Sequence, residues 1–370
     1  MGDTRLRCRH AFETVTVHGN GEVVCSIIDG RGDFVVGNVY KQSLPQIFNG
    51  PRFQELRRLV LSTPDQYCRA IGKHCPLKTR HVSGDELEQP VQIKLLAIEP
   101  TSACDLACLT CPIRDFDSSI SWRNAYRDGG MKFWLWDSVR RFKQHTADVI
   151  RSMVPSIPDT TQLNPMTAKL LRGRVHTNRN GTLPLSVIQR VIEEAGEHVE
   201  RVDFFNYGEP FLYRPLNDAL RHVRKILPKT EIAISTNGMQ VHENVEDQII
   251  SERLLDWLLF SVDGSDAEHY QRYRIGGTFE TAFGNLCRFS RKAKGSGIHV
   301  IWQYVVFEWN DSDDQLKRAI DLAADQDLTL WFDFSGTWGR SRRKTDELQY
   351  LVPYLKPFVP LPGEQRYDGR

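Results

Sequence analysis

Three cysteines in one short segment have types and spacing that could support chemistry. Cys104, Cys108 and Cys111 form a C-x3-C-x2-C pattern. Three thiolates can bind three irons of a four-iron cluster, which leaves the fourth iron open to a ligand that is not protein. An open metal position is typical of catalysis, as it is in catalytic zinc sites. Zinc is the alternative for the isolated triplet, because thiolates bind it as well.

Four further cysteines precede this triplet and could form a second site. They are Cys8, Cys25, Cys68 and Cys75. Four thiolates can complete the coordination of an iron-sulfur cluster without a vacancy. A structural zinc site made of four cysteines in a small β module is the alternative. The eighth cysteine, Cys287, shares a predicted helical face with Phe283 and Leu286, so we expect it to be a buried core residue.

From residue 93 onward, the sequence alternates between strand patterns and helix patterns. The predicted strands are 93–98, 201–205, 231–234, 257–262, 299–307 and 328–334. The intervening segments 187–195 and 216–227 each have one apolar face at helical spacing. Six β/α units predict an α/β fold, a partial (β/α)6 barrel of the TIM type with a parallel sheet covered by helices. Barrels of this type do their chemistry at the carboxyl ends of the strands.

Polar motifs follow the first four of these strands. After the first strand comes the cysteine triplet, and the later motifs are Asn206-Tyr207-Gly208-Glu209-Pro210, Ser235-Thr236-Asn237-Gly238, Ser261-Val262-Asp263-Gly264 and Tyr273-Arg274-Ile275-Gly276-Gly277. Each short motif alone is also compatible with an ordinary polar turn. On the fifth strand, Gln303 and Tyr304 occupy a position suited to substrate contact, and alternation places only one of them inside.

The order and spacing of these motifs resemble the radical S-adenosylmethionine (radical SAM) superfamily over about residues 92–336. The resemblance implies that Cys104, Cys108 and Cys111 bind a 4Fe-4S cluster. It also implies that the amino and carboxylate groups of S-adenosylmethionine (SAM) chelate the open iron. The cluster then reduces SAM to methionine and a 5'-deoxyadenosyl radical.

The same resemblance implies which side chains contact SAM. Gly208 and Glu209 are similar to the Gly-Gly-Glu segment that contacts the methionine amino group in the family. Ser235 and Asn237 lie at the strand end that binds the ribose in the family. Ser261 and Arg274 resemble the pair that holds the SAM carboxylate. These six residues are Gly208, Glu209, Ser235, Asn237, Ser261 and Arg274.

Residues 1–90 have a different pattern, that of a small cysteine-rich α+β module. An Asn20-Gly21 pair between two β-prone runs predicts a hairpin, and residues 52–61 have helical spacing. With its four cysteines, this region resembles the SPASM and twitch auxiliary-cluster modules, here placed before the barrel rather than after it. The resemblance implies a second, auxiliary 4Fe-4S cluster bound by those four cysteines.

Residues 115–180 are predicted to be an insertion within a barrel domain of residues 91–340. Over residues 121–180 there are 11 Lys or Arg against 4 Asp, a surplus of seven positive charges, together with Trp122, Trp134 and Trp136. We expect this segment to cover the barrel mouth and to bind an anionic part of the substrate. A solvated basic surface is the alternative. Residues 341–370, rich in Arg and Pro, are predicted to form a tail that docks on the rest of the protein.

Composition excludes several classes of protein. With 40% hydrophobic and 26% charged residues, the 370-residue chain is neither disordered nor fibrous. The longest apolar stretch, residues 254–262, is far shorter than the ~20 residues of a membrane-spanning helix, and no signal peptide is apparent. We therefore expect a cytoplasmic protein without a membrane partner, in which cysteines bind metal rather than form disulfides. A net charge of only +1 gives no reason to expect nucleic acid as a partner.

Together these patterns predict a radical SAM oxidoreductase, either a dehydrogenase or an epimerase. It would abstract hydrogen from a small, polar, sugar-like substrate, with the auxiliary cluster as electron acceptor and an external donor of the flavodoxin or ferredoxin type. One alternative is a radical SAM maturase that modifies a peptide. An alternative of another class is a non-catalytic iron-sulfur or zinc protein that binds RNA through the basic insertion.

Overall fold

The computed structural model describes part of the chain. The described residues are 5–7, 9–24, 29, 32, 34–62, 80–82, 91–108, 111, 181–205, 207–334, 341 and 343. The predicted insertion at 115–180 lies outside them, as does all of the predicted tail except residues 341 and 343. The four cysteines predicted to bind the auxiliary cluster also lie outside them, namely Cys8, Cys25, Cys68 and Cys75. The domain boundaries at residues 90 and 340 stay predictions.

Within the described residues, strands and helices alternate from β6 onward. The strands are β1 (Arg5–Arg7), β2 (Thr14–Val17), β3 (Glu22–Val24), β4 (Val35–Asn38), β5 (Arg80–Val82), β6 (Leu95–Ile98), β7 (Arg201–Phe204), β8 (Glu231–Thr236), β9 (Trp257–Ser261), β10 (His299–Val306) and β11 (Thr329–Phe334). The helices are α1 (Arg9–Glu13), α2 (Leu44–Phe48), α3 (Pro51–Ser62), α4 (Leu185–Ala195), α5 (Leu216–Ile226), α6 (Glu243–Ser251), α7 (Ala267–Tyr273), α8 (Phe279–Lys292) and α9 (Asp313–Asp325). None of these helices is long and apolar enough to cross a membrane.

The sheet that positions the site has nine strands in the order β11-β10-β9-β8-β7-β6-β2-β3-β4. The six strands predicted for the barrel, β6 to β11, are all present and pair in parallel. This confirms the predicted partial (β/α)6 barrel with its small N-terminal module. A separate antiparallel pair is formed by β1 and β5.

The N-terminal region continues the barrel sheet, which the sequence analysis did not anticipate. Strand β2 pairs in parallel with β6, in a register that runs from Thr14 opposite Leu95 to Val17 opposite Ile98. Strands β3 and β4 then extend the sheet in antiparallel fashion. The predicted hairpin joins β2 to β3, where Gly21 has a φ of +82°, a backbone conformation that favours glycine. The predicted helix at 52–61 is α3.

One face of the sheet is apolar and is covered by helices. Along β9, Leu258 and Phe260 are fully buried on this face. The ring of Phe260 packs edge-on against Phe289 of α8, with the ring centroids 6.1 Å apart. Helix α5 contributes side chains at helical spacing, of which Leu220 and Val223 are fully buried. This layer is the main core of the described part of the chain, and it supports the sheet that carries the site.

The opposite face lines the inside of the barrel and carries polar side chains. Because side chains alternate along a strand, the residues adjacent to the core positions point inward. The polar residues on this face include Thr14, Thr16, Arg201, Asp203, Ser235, Ser261 and Gln303. Arg201 and Asp203 form an ion pair there with little exposed surface on either side chain. The inner face is therefore suited to a polar ligand.

Candidate functional site

The loop that carries the cysteine triplet follows β6 and is held by two other loops at the strand ends. Ala103 accepts a hydrogen bond through its carbonyl oxygen from the backbone N–H of Glu209, at 2.8 Å. Ala107 donates its N–H to the carbonyl oxygen of Ile275, also at 2.8 Å. Leu106, between Cys104 and Cys108, is 1% exposed and anchors the loop in the core. Three strand ends thus meet at the triplet, as the sequence analysis predicted from barrel geometry.

Gly208 permits the closest of these approaches. A Cβ atom on Gly208 would lie 1.8 Å from the carbonyl oxygen of Thr101, which is far inside van der Waals contact. Since Thr101 begins the segment that leads into Cys104, the loop after β7 packs directly on the backbone of the cysteine loop. A glycine is required at this position for steric reasons, independently of any contact with SAM.

Glu209 joins the end of β7 to the end of β8. Its Oε1 atom accepts hydrogen bonds from Phe211 N–H at 3.1 Å and from the Thr236 hydroxyl at 2.7 Å. Its Oε2 atom accepts one from Asn237 N–H at 2.8 Å. Burial raises the pKa of Glu209 to about 7, although these three hydrogen bonds each act to lower it.

Asn237 contacts the cysteine loop with its side-chain amide. Its Oδ1 atom accepts a hydrogen bond from Met239 N–H at 2.8 Å, which orients Nδ2 toward the loop. Nδ2 lies 2.8 Å from Asp105 Oδ1 and 3.6 Å from Cys104 Sγ. Asp105 also accepts a hydrogen bond from Gln240 Nε2, at 2.7 Å. The loop after β8 therefore holds the first turn of the cysteine loop.

Arg274 contacts the second thiol from the end of α7. Its Nη1 atom lies 3.7 Å from Cys108 Sγ, and its Nε atom donates to Asp263 Oδ2 at 2.6 Å. Asp263 is fully buried, and its other oxygen accepts a hydrogen bond from Val305 N–H at 2.8 Å. Burial alone would lower the pKa of Arg274, but Asp263 and Cys108 hold it well above its usual value. The guanidinium is a fixed positive charge beside Cys108.

Three polar side chains connect neighbouring strands across the inner face. Ser235 and Ser261 have hydroxyl oxygens 3.3 Å apart, and the Ser261 hydroxyl lies 3.2 Å from Gln303 Oε1. Of the two candidates on β10, Gln303 thus points inward. Tyr304 is fully buried on the helix side, where its hydroxyl donates to the carbonyl oxygen of Asn310 at 3.0 Å.

The donor set of the cysteine loop suits the iron-sulfur cluster that the sequence predicts. Burial raises the pKa of Cys104 and of Cys108 to about 11, and Arg274 opposes this effect at Cys108. A metal must therefore displace protons from these thiols as it binds. Cys111 is close in the chain, since its N–H donates to the carbonyl oxygen of Cys108 at 3.2 Å. Three thiols on one loop, two of them facing nitrogen donors, are compatible with a cluster.

Sequence reasoning missed three acidic residues that organise this site. Asp105 and Asp263 lie inside motifs that were recognised, but neither was given a role. Glu99, at the end of β6, is 1% exposed, and its carboxylate accepts hydrogen bonds from Gly19 N–H at 3.3 Å and Tyr207 N–H at 3.2 Å. An acidic residue directly after a buried strand was the available signal, since a buried charge needs donors.

Comparisons with known proteins agree with these observations. The family model described as the Radical SAM superfamily matches residues 98–323, which is more than half of the chain. The SPASM model, described as an iron-sulfur cluster-binding domain, matches residues 8–76. No curated protein matches this sequence.

Several solved structures resemble the chain at low identity. "Native anSMEcpe with bound AdoMet" has 18% identity and a TM-score of 0.38, with 66% of this chain and 55% of that chain covered. "Crystal structure of archaeal TYW1" has 19% identity and a TM-score of 0.32, with 45% of this chain and 58% of that chain covered. "Crystal structure of BtrN in complex with AdoMet and 2-DOIA" has 12% identity and a TM-score of 0.31, with 56% of this chain and 55% of that chain covered. The chain thus spans little more than half the length of these proteins.

The two family matches confirm the predicted arrangement of a SPASM region before a radical SAM region. A radical SAM domain uses a 4Fe-4S cluster and SAM, and a SPASM domain binds an auxiliary iron-sulfur cluster. The protein belongs to the radical SAM superfamily.

Proposed function

We propose that the protein is a radical SAM oxidoreductase that abstracts hydrogen from a small polar substrate. The observation that supports this most directly is the gathering of strand-end loops around the cysteine triplet. The loops after β7, β8 and β9 each contact residues 103–108 through hydrogen bonds. These contacts place polar groups from several strand ends around the open metal position, as a catalytic site at this rim of a barrel requires.

Cys104, Cys108 and Cys111 would hold the cluster, with one iron open to SAM. When bound, the cluster supplies the electron that cleaves SAM to methionine and a 5'-deoxyadenosyl radical. The chain itself supplies positioning. Glu209 fixes the loops after β7 and β8 relative to each other, and Gly208 allows the first of them to approach the cysteine loop.

The proposed SAM contacts lie on this same rim. Arg274 uses Nε for Asp263 and Nη1 for Cys108, and a guanidinium has five N–H donors in all. Donors that face neither partner are suited to the SAM carboxylate, together with the Ser261 hydroxyl. Ser235 and Asn237 occupy the neighbouring strand end, where the ribose is expected.

A polar inner face supports a small polar substrate. Ser235, Ser261 and Gln303 form a row of hydrogen-bonding groups across three strands, next to the rim that carries the triplet. Sugar-like molecules present hydroxyls that can pair with such groups. The basic segment at 115–180 is proposed to bind an anionic part of the substrate. Electrons are proposed to come from an external donor of the flavodoxin or ferredoxin type.

An anaerobic assay of the reconstituted protein with SAM and a chemical reductant tests the enzyme class. We expect wild type to release 5'-deoxyadenosine. The triple variant Cys104→Ala/Cys108→Ala/Cys111→Ala should release none, because it lacks all three cluster ligands. Cys287→Ala is the matched control and should behave as wild type, since Cys287 lies on α8, where it is half-buried rather than a core residue as predicted. A wild-type protein that binds iron but produces no 5'-deoxyadenosine would refute the proposal.

The four N-terminal cysteines are proposed to bind the auxiliary cluster, which would accept an electron from the substrate. Wild type should then contain about eight irons, four from each of two four-iron clusters. Cys68→Ala should retain reductive cleavage of SAM while product formation from the substrate falls. Far-ultraviolet circular dichroism would separate this result from unfolding, because loss of a metal ligand also costs folding energy. About four irons and one zinc in wild type would exclude the electron-accepting role.

A further inference from the structure

The two thiols with described contacts face different donors. Cys104 Sγ lies 3.6 Å from the neutral amide of Asn237, and Cys108 Sγ lies 3.7 Å from the charged guanidinium of Arg274. Hydrogen bonds to the sulfurs of an iron-sulfur cluster, and net charge near it, help to set its reduction potential. A charged donor has roughly twice the strength of a neutral one. The two cysteine ligands of one cluster would therefore receive hydrogen bonds of unequal strength.

Arg274 is held in place from several sides. Asp263 accepts a hydrogen bond from Arg274 Nε at 2.6 Å. A second hydrogen bond, from Val305 N–H, fixes the Asp263 carboxylate itself. The backbone N–H of Arg274 donates to the carbonyl oxygen of Tyr270, which places the residue at the end of α7. Its guanidinium also lies over the ring of Tyr273, 5.3 Å from the ring centroid. These contacts fix the charge toward Cys108, so the contact does not depend on a flexible surface side chain.

We propose that Arg274, oriented by Asp263, raises the reduction potential of the cluster that binds SAM through its hydrogen bond to Cys108. This inference rests on the proposed ligand set. A reduced cluster has one more negative charge than an oxidised one. A nearby positive charge in a partly desolvated site therefore stabilises the reduced state more than the oxidised state. Asp263 opposes this effect, but it pairs with Nε, whereas Nη1 is the atom that faces the sulfur, so the cation dominates at Cys108. In this role Arg274 is a positioning and tuning residue, besides any contact with SAM.

The test is a redox titration of the reconstituted full-length protein without SAM, monitored by electron paramagnetic resonance. The signal that disappears in the triple cysteine variant identifies the relevant cluster. Arg274→Gln should lower its midpoint potential, with about a tenfold fall in the ratio of reduced to oxidised cluster at a fixed potential. For a one-electron couple this fall equals 59 mV. Arg274→Lys keeps the charge but loses the planar fork, so we expect a smaller shift in the same direction.

Arg224→Gln is the matched control for loss of a partly buried arginine. Arg224 of α5 pairs with Asp256 at 2.7 Å, as Arg274 pairs with Asp263, but Asp256 directly precedes β9 and so lies at the end of that strand opposite the rim. We expect its midpoint potential to equal that of wild type. The control shows whether general destabilisation of the barrel changes the potential.

The outcomes separate this inference from the proposed function. If the triple cysteine variant keeps every iron-sulfur signal, the proposed ligand set is wrong. If the signal is present and both Arg274 variants match wild type and Arg224→Gln, the tuning role is wrong while the ligand set stands. Should Arg274→Gln fail to fold, Arg274→Met, which also removes the charge, decides instead, and a potential equal to that of wild type would overturn the inference.

Discussion

The two faces of the central sheet use the same strands for different purposes. On β9, Phe260 is fully buried against α8, whereas its neighbour Ser261 points inward and contacts Ser235 and Gln303. The helix-covered face is an apolar layer, whereas the inner face carries hydrogen-bonding groups beside apolar residues such as Leu259 and Ile301. Alternation along each strand thus lets one element stabilise the barrel and line its site at the same time.

The difference is greatest at the carboxyl ends of the strands, where the inner face meets the loops. There, Glu209 accepts a hydrogen bond from Asn237 N–H, and the Asn237 side chain donates to Asp105. Arg274 donates to Asp263, which follows the end of β9. The apolar face determines whether the barrel folds, and these polar contacts determine where the cysteine loop lies. Substitutions on the two sides should therefore fail in different ways.

The largest effect is expected at Gly208, and Gly284, on an exposed side of α8, provides the matched control. Gly208→Ala places a Cβ atom 1.8 Å from the carbonyl oxygen of Thr101, so the cysteine loop must move. We expect iron content and SAM cleavage to be lost. Gly284→Ala, within α8, meets no atom within 4 Å, and it should raise the free energy of unfolding by roughly 0.5–1 kcal/mol.

Iron counting and chemical denaturation of both glycine variants check this prediction. Full iron content in Gly208→Ala would show that the two loops can separate without loss of the site. A lower free energy of unfolding in Gly284→Ala would contradict the finding that a methyl group at this position meets no other atom.

Adjacent residues on β9 give the next largest contrast. Phe260→Ala should lower the free energy of unfolding by roughly 3–5 kcal/mol, because a large aromatic ring leaves a cavity in the core. Ser261→Ala removes hydrogen bonds that are worth roughly 0.5–1.5 kcal/mol each, so its cost should be much smaller. SAM affinity should change in the opposite order, with the greater loss in Ser261→Ala. Equal losses of SAM affinity in both variants would argue against the separation of the two faces.

The sequence predicted the features that depend on local pattern. Apolar residues at alternating and helical spacing located all six barrel strands, and the polar motifs after them fell at one rim because parallel strands end together. The pairing of β2 with β6 could not be predicted, since it joins segments about 80 residues apart, as the contact between Gly19 and Glu99 illustrates. The partner of Arg274 was also missed, because residues 263 and 274 meet only after α7 turns the chain back.

The smallest of the three effects concerns Glu209, which lies on the rim and is 2% exposed. Burial raises its pKa from 4.5 to about 7, so the folded state favours the protonated form. This group therefore contributes stability below pH 4.5, and the contribution is lost as the pH rises through about 7. The loss amounts to about 3 kcal/mol, since one pKa unit corresponds to about 1.4 kcal/mol.

Glu209→Gln resembles the protonated carboxyl group at every pH, so it should avoid this loss. Denaturation of both proteins without SAM between pH 5 and 8 should show the variant gaining stability relative to wild type as the pH rises. Most of the gain should fall below pH 7, because above that pH Glu209 is ionised in both the folded and the unfolded state, so stability no longer depends on its titration. A difference in unfolding free energy that is independent of pH would mean that Glu209 keeps an ordinary pKa. In that case the rim would tolerate a buried charge without penalty.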